Sequence, residues 1–307
     1  MIKILRYAYA LTCTTALLFS GLSHAQNNQP GLAFLRLSMD AAGAASGNAY
    51  TASGSGLSAL HWNPAGVVQA DRHEIVFTHL SGFADMNSDF FGVSWKQKES
   101  QAFALSFFSN NIDDIEARSR PTLQPDGTIS AHDFYFGLTY SRKLSSSLRI
   151  GTTARYMYQK IYLYDATGVS GDIGLQYTHG KGDLTAGAVV RNIGSMNALK
   201  TEKPTMPTLA RVGAAYALSF PNKNQHVLQI SADYETIFEG DNHLYTGCNY
   251  GINQKYNIRF GYITGFESGR FSAGGGIFIK RYSFDYAYLP DVTSFSNHHI
   301  LTFSMIF

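Results

Sequence analysis

From residue 73 to residue 307 the side chains alternate between apolar and polar, and this period of two constrains the fold more than any other feature. In DFFGVSW, Phe91, Val93 and Trp95 alternate with Phe90, Gly92 and Ser94. In DFYFGLTY, Phe134, Phe136, Leu138 and Tyr140 oppose Asp133, Tyr135, Gly137 and Thr139. The same holds for SLRIGTTARYMYQ, HVLQISADYE and RYSFDYAYL. Successive side chains of a strand point to opposite faces, so each segment has one apolar and one polar face. About fourteen such segments lie near 73–80, 88–96, 101–109, 132–142, 147–159, 169–178, 183–192, 208–219, 226–237, 243–251, 254–264, 269–280, 281–289 and 297–307. Their length, roughly 8 to 13 residues, suits tilted strands crossing a membrane.

Two architectures hold that many amphipathic strands: a soluble β-sandwich and a membrane barrel. Charged residues are 15% of the chain and aromatics 14%, with 29 glycines. That balance fits an outer surface meeting lipid, although composition alone leaves the sandwich open. No stretch of the barrel region approaches ~20 continuous apolar residues, so a membrane crossing requires a closed barrel with every backbone group paired. The connections separate the two cases. Alternate connections read QKES, KLSSS, HGKG, PNKNQ, INQ and KR, all short and polar. The others include the long NNIDDIEARSRPTLQPDGTIS and IGSMNALKTEKPTMPT, with YDATG, FEGDN, GFESG and PDVTSFSN on the same side. Short turns at one end and long loops at the other are the asymmetry of outer-membrane barrels, with the loops outside the cell. The expected fold is therefore all-β: a transmembrane antiparallel β-barrel of about fourteen strands.

The remaining segments fit an exported protein. Residues 1–25 read as a signal peptide: Lys3 and Arg6, the apolar run YALTCTTALLFSGL, then SHA ending at Ala25. Cys13 lies in that run, which leaves Cys248 without an intramolecular partner. The expected location is the outer membrane of a Gram-negative cell, with outer-membrane lipid as the first partner. The closing HHILTFSMIF puts Leu301, Phe303, Met305 and Phe307 on one face. This ending resembles the signal that the barrel-insertion machinery reads, and assigns that role to Phe303 and Phe307. The formal net charge of +2 gives no electrostatic case for nucleic acid.

Residues 26–72 do not alternate and are rich in Gly, Ala and Ser. Helical turns are expected at 32–38 and 55–62, with Ser53 or Ser55 as a cap and Pro64 holding Asn63 out of the helix. The segment is too small to bury a core alone. A barrel of about fourteen strands has a bore too wide for its own side chains to fill, since ~8 strands is the packed limit. The segment is therefore expected to fold into the lumen as a plug, or hatch, with Leu60 and Trp62 against the wall. That divides the chain into a signal peptide (1–25), a plug (26–72) and a barrel (73–307).

FLRLSMDAAGAASGNAYTASGSGLSALHWNPAGV resembles the opening of the PorV/PorQ family: Phe34 and Leu35 begin it, an Ala/Gly-rich stretch follows, and Trp62, Asn63, Pro64, Ala65 and Gly66 precede the first strand. That family is similar in fold to the FadL long-chain fatty acid transporters, fourteen-stranded barrels with an N-terminal hatch. The likeness covers about 35 residues by motif, and the strand count extends it to the mature chain. Where family members often carry Arg in the Ala-rich stretch, this chain has Ala42, so no role of that Arg carries over.

Catalytic motifs are absent from the sequence: no Gly-x-Ser-x-Gly, no His-Glu-x-x-His and no phosphate-cradling loop. No cofactor is implied. His298 and His299 are neighbours on a strand and point to opposite faces, against a shared metal. NNIDDIE lacks the spacing of a dedicated calcium loop. Cys248, on the face of Leu244 and Tyr250, reads as an apolar contact. Glycines 274–276 leave room for close contact with the plug. The polar face carries Arg149, Arg155, Arg211, Asp233, Glu235, Arg259, Lys280 and Asp285. Charges in a bore line water or pair with one another, so they form a network holding the plug or a lining for an anionic amphiphile.

Three functions are consistent with these features. The resemblance implies a non-enzymatic accessory barrel of the type IX protein secretion system, which receives or positions exported cargo proteins through loops 110–131 and 193–207. A FadL-like transporter of hydrophobic ligands such as long-chain fatty acids is the alternative. A lipid-modifying hydrolase comes last, because no Ser/His pair is placed for it.

Overall fold

The computed structural model describes residues 31 to 307 except 83–85, 122–123, 181, 221–224, 239, 266–268 and 291–296. The signal peptide and the first five residues of the plug segment lie outside the described residues. Fourteen strands follow one another around a closed antiparallel barrel: β1 (Glu74–Ser81), β2 (Asn87–Lys98), β3 (Gln101–Ala117), β4 (Gly127–Lys143), β5 (Leu148–Ile161), β6 (Tyr164–His179), β7 (Leu184–Met196), β8 (Leu209–Phe220), β9 (His226–Ile237), β10 (Asn242–Ile252), β11 (Tyr256–Thr264), β12 (Arg270–Ile279), β13 (Tyr282–Leu289) and β14 (His298–Ile306). β1 pairs with β14 from Glu74↔Ile306 to Ser81↔His299, so no edge is left unpaired around the cylinder. Each expected segment coincides with one strand.

The alternation sorts residues between the two surfaces. Phe91, Phe136, Leu138, Tyr156, Ile230, Phe260, Phe284 and Leu301 face outward and are exposed. Ser94, Thr139, Thr153, Gln176, Ser231 and Ser272 face inward and are buried. Water would charge about 25 cal/mol for each Å² of that apolar exterior, whereas hydrocarbon does not. Aromatic stacks run across strands on the same surface, as in Phe107–Phe134–Tyr158.

Strand ends at the loop end differ from expectation in three places, one being IGSM (193–196), which ends β7 rather than opening the loop 193–207. Residues 110–117 and 127–131 are not a loop but the tip of the β3–β4 hairpin, paired up to Ala117↔Gly127. YDATG likewise begins β6, leaving a tight turn after Ile161. These tips rise beyond the apolar belt, where neither face meets lipid. They therefore carry polar residues on both sides, and the alternation that marks a membrane strand is lost. Lys280 is also misplaced by counting the alternation too far: it sits in the β12–β13 turn at φ 57° and is exposed, not in the lumen.

The hydrophobic core lies inside the bore. Leu32, Phe34, Leu35, Met39, Leu57, Leu60, Val67 and Val68 from the leading segment form one cluster with wall residues Val76, Leu80, Phe90, Phe108, Met157 and Ile300. The leading segment consists of 3-10 turns at Ala33–Arg36, Gly56–His61 and Pro64–Gln69, and one short helix, α1 (Ala41–Ala45). Asp40 caps α1 by accepting from Gly43 N at 2.6 Å. Ser55 stands at the N-cap position of Gly56–His61 without making a side-chain cap. Pro64 does hold Asn63 extended (φ −157°), yet it also opens a new turn, capped by the Asn63 side chain.

Candidate functional site in the lumen

α1 packs on β11 to β14, the Gly56–His61 turn on β1 and β2, and the Pro64–Gln69 turn on β3 to β6, so the leading segment touches most of the wall. Glycines on the inner face make this approach possible. A Cβ on Gly174 would collide with Asn63 Oδ1, one on Gly151 with the Pro64–Ala65 peptide, one on Gly247 with Ser46 O, and one on Gly261 with Gly47. Of the 274–276 run, only Gly274 meets the plug, at the Ala45 methyl; Gly275 faces away from the plug, where an added Cβ meets only Asn257 O, and Gly276 makes room for Asp285 and Arg259.

Inward hydroxyls, amides and carboxylates then pin plug backbone that water would otherwise satisfy. Thr302 Oγ1 accepts from Ala41 N at 3.0 Å, Ser272 Oγ from Gly47 N at 3.0 Å and Asp233 Oδ2 from Thr51 N at 2.9 Å. Glu74 Oε2 accepts from Leu57 N at 2.7 Å, and Ser141 Oγ donates to Ala65 O at 3.0 Å. Gln176 donates to Thr51 O and Gly54 O.

The motif residues form the centre of this contact. Phe34 stacks on Phe108 at 5.9 Å, and Leu35 and Leu60 are buried. Trp62 is 1% exposed, packs so closely on Gly43 that a Cβ there would collide with the indole, and donates Nε1–H to Asp40 at 3.3 Å. Asp40 also accepts from Ser58 Oγ at 2.9 Å, so one buried carboxylate ties three parts of the plug together. Asn63 is fully buried; its amide donates to Thr51 O at 3.1 Å and to Leu175 O of the wall at 2.9 Å, while its Oδ1 accepts from Ala65 N at 3.1 Å. Pro64, Ala65 and Gly66 are buried beside it.

Of the expected inward charges, Arg155, Arg211, Glu235, Arg259 and Asp285 form ion pairs, whereas Asp233 holds plug backbone at Thr51 and Arg149 has no ion pair among the described residues. Arg155 grips Asp172 with two bonds of 2.8 and 2.5 Å, and Arg191 stands 3.8 Å from the same carboxylate. Arg211 binds Glu235 through Nε at 2.9 Å and also through Nη2, donates to plug carbonyl Asn48 O at 3.0 Å, and lies over the Trp62 ring. Tyr245 donates to Glu235 at 2.8 Å, and Arg259 pairs with Asp285 at 2.6 Å. Arg149, near the turn end, donates to Thr178. Phe303 faces lipid beside Phe284, and Phe307 packs on His73, to whose carbonyl its N–H donates at 3.0 Å.

Sequence reasoning missed Asp172, Asp40 and Arg191. Asp172 follows the same inward rhythm as Ser170, Gly174 and Gln176 and was open to that argument. Arg191 was open to it as well, in step with Thr185, Gly187 and Val189; the bulge only adds Asn192 after it.

Above the plug, toward the loop end, a cavity of about 240 Å³ remains. Its apolar wall is Leu37, Leu80, Leu209, Ile263, Leu289 and Ile300, with Trp62 among the lining residues. Its polar wall carries four guanidinium groups, Arg36, Arg191, Arg211 and Arg270, against one carboxylate, Glu235. His61 also lines it; burial first, then the neighbouring Arg191, Arg211 and Arg155, lower its pKa well below the usual value, so it adds no charge. His298 borders the cavity, whereas His299 turns outward to Tyr286. Among the described residues, no group of three or more His, Cys, Asp or Glu is placed to hold a metal.

No family model matches the sequence, and no curated protein is similar enough to it to match. Solved structures do match. The Ralstonia pickettii toluene transporter TbuX is similar over 87% of this chain and 98% of its own, with a TM-score of 0.64 and 14% identity. The Pseudomonas putida toluene transporter TodX is similar over the same shares, at 0.64 and 13%. A Pseudomonas aeruginosa FadL homologue is similar over 87% and 97%, at 0.59 and 11%. At such identities the likeness is one of fold: this chain has the architecture of FadL-like outer-membrane barrels.

Proposed function

We propose that this chain is a non-enzymatic, FadL-like outer-membrane transporter of small hydrophobic molecules, with its loop end outside the cell. The observation that carries the reading is the cavity above the plug. It is apolar on one side and cationic on the other, and the stopper beneath it is held by hydrogen bonds and packing rather than by a covalent link. The similar solved structures are of transporters of toluene and of a FadL homologue, which agrees with this reading. With Arg211 bound to Glu235, the remaining cationic character comes from Arg36 and from Arg191, which shares the single Asp172 carboxylate with Arg155, and this favours an amphiphile with an anionic head, such as a long-chain fatty acid, over a neutral hydrocarbon.

The chain has two tryptophans; Trp62 lines the cavity and Trp95 faces lipid. In a Trp95→Phe background, a long-chain monocarboxylate changes Trp62 fluorescence saturably, and the corresponding alcohol does so more weakly. Labelled fatty acid uptake collapses when residues 26–66 are deleted. Absence of both the fluorescence response and the uptake would overturn the proposal.

A second reading rests on the Trp62-Asn63-Pro64-Ala65 resemblance to the PorV/PorQ family: an accessory barrel of the type IX secretion system that receives or positions cargo. Co-purification of secretion components or cargo from detergent-solubilised outer membrane, with no fatty acid uptake, would favour it.

A further inference from the structure

On the outer wall, at the loop end of the β1–β2 hairpin, a hydroxyl, an imidazole and a carboxylate stand in line. His79 Nδ1 lies 2.8 Å from Asp89 Oδ1, and His79 Nε2 lies 3.1 Å from Ser81 Oγ. Strand geometry assembles the cluster. His79 and Ser81 are two residues apart on β1 and share the outward face with Phe77, whereas Thr78 and Leu80 point into the bore and are buried. Asp89 is directly opposite His79 on β2, on the face of Phe91. An ionised carboxylate only accepts, so it holds the proton on Nδ1 and leaves the Nε2 lone pair for the Ser81 hydroxyl. Two other histidines that face outward at this end lack that order: His132 meets Asn111 Oδ1 at 2.7 Å, and His299 meets the Tyr286 hydroxyl at 2.8 Å.

The cluster sits where the apolar belt ends. One step toward the membrane, Phe77 is opposed by Phe91 and Phe303; at the outermost step, Ser81 is opposed by Asn87 and His299. The His79 and Asp89 side chains are 39% and 45% exposed. This is the boundary between hydrocarbon and head groups, where the acyl esters of outer-leaflet lipids lie and water also reaches. Sequence reasoning found no Ser/His pair facing lipid because the carboxylate that completes it lies on the next strand rather than in a local motif.

From this geometry we infer a second function, separate from transport through the lumen: Ser81, His79 and Asp89 hydrolyse an acyl ester of an outer-leaflet lipid. Ser81 Oγ attacks the ester carbonyl carbon while its proton passes to His79 Nε2; the bond to the alcohol oxygen breaks, and that oxygen leaves with the proton from His79. Water then attacks the acyl-serine and gives a proton to His79, which returns it to Ser81 Oγ as the Oγ–acyl bond breaks. Ester and water become fatty acid and alcohol. Asp89 is a positioning residue that fixes the imidazole tautomer. Asn87, directly across from Ser81, brings a side-chain amide to the same face, where it can donate to the oxyanion.

The test uses the full chain in detergent, with heat-modifiable gel migration verifying that each variant is folded. A long-chain alkyl fluorophosphonate is expected to modify Ser81, located by peptide mass spectrometry. Labelled fatty acid is expected to be released in mixed micelles from a phospholipid or from an acylated glycolipid, and the substrate that responds names the source. Ser81→Ala and His79→Asn should each slow release ~100-fold or more, whereas Ser109→Ala, on the outward face of β3, should not. Asp89→Ala should also slow it, and Asp89→Asn, which keeps an acceptor for Nδ1, should recover part of the rate. No adduct at Ser81, no fatty acid from either lipid, or release unchanged in Ser81→Ala overturns the inference. Ser81→Ala should keep the Trp62 fluorescence response, which reads the lumen, so failure here and failure of the transport reading are told apart.

Discussion

Replacing Gly261 with Ala should loosen the plug without harming the barrel. A methyl group there would lie inside the van der Waals envelope of the Gly47 amide nitrogen and Cα and only 2.6 Å from Ser272 Oγ, where ordinary contact needs 3.4–4 Å. Both Gly47 atoms are backbone, so no rotamer relieves the clash; the plug must retreat by more than an ångström. Such overpacking costs about 1–3 kcal/mol. The retreat also breaks Gly47 N to Ser272 Oγ and Ser272 Oγ to Ala45 O, each worth about 1 kcal/mol. Together the plugged state loses about 3–5 kcal/mol, a shift of about a hundredfold to a few thousandfold toward its open form. The assay is the rate at which a water-soluble maleimide labels Ala49→Cys, fully buried in the native plug, with Cys248→Ser as background. Gly275→Ala is the control: it faces away from the plug, and its added Cβ meets only Asn257 O, at 3.2 Å. Equal labelling rates in Gly261→Ala and Gly275→Ala would refute the claim that bare backbone on the wall admits the plug.

Other consequences concern the ion pairs, the lipid face and the chain end. Asp172→Asn leaves the buried Arg155 and Arg191 uncompensated, and should cost about 3–5 kcal/mol, read as a lowered denaturation midpoint in detergent. Ile230→Lys puts a charge in the middle of the lipid face of β9, and should destabilise the vesicle-inserted barrel by about 2–4 kcal/mol in equilibrium unfolding. Phe307→Ala removes the terminal ring from His73, and should lower the yield of folded barrel in the outer-membrane fraction more than it lowers the stability of barrel already folded.

How much of this was legible in the sequence follows from which solvent each residue meets. Wherever a strand has lipid outside and polar lumen inside, the two solvents write a period of two, which is why β5 and β9 could be read side by side with their inward arginines and carboxylates. Beyond the apolar belt, water bathes both faces, and the tips of β3, β4 and β6 lose the signal. Arg191 keeps step with Gly187 and Val189 and was legible by the same count; the bulge at Asn192 disturbs only the residues after it. α1 is too short and too uniformly small to show a helical face, although Asp40 before an Ala-rich run is a cap signal that was available. The pairing of the lumen charges needs strand register, which depends on distant segments: Arg211 meets Glu235 because those positions are opposed on β8 and β9. The cavity follows only once the plug is placed, since its lining is drawn from both.

The placement of the two tryptophans tests the account most directly. Single-tryptophan variants, Trp95→Phe and Trp62→Phe, are reconstituted into vesicles of brominated lipid and also titrated with aqueous acrylamide. The structure places Trp95 on the lipid face and Trp62 at 1% exposure inside the bore. Brominated chains should therefore quench Trp95 strongly, and neither quencher should reach Trp62. Free quenching of Trp62 by acrylamide, or a Trp95 untouched by the brominated lipid, would contradict a lipid-embedded cylinder stoppered by its own leading segment.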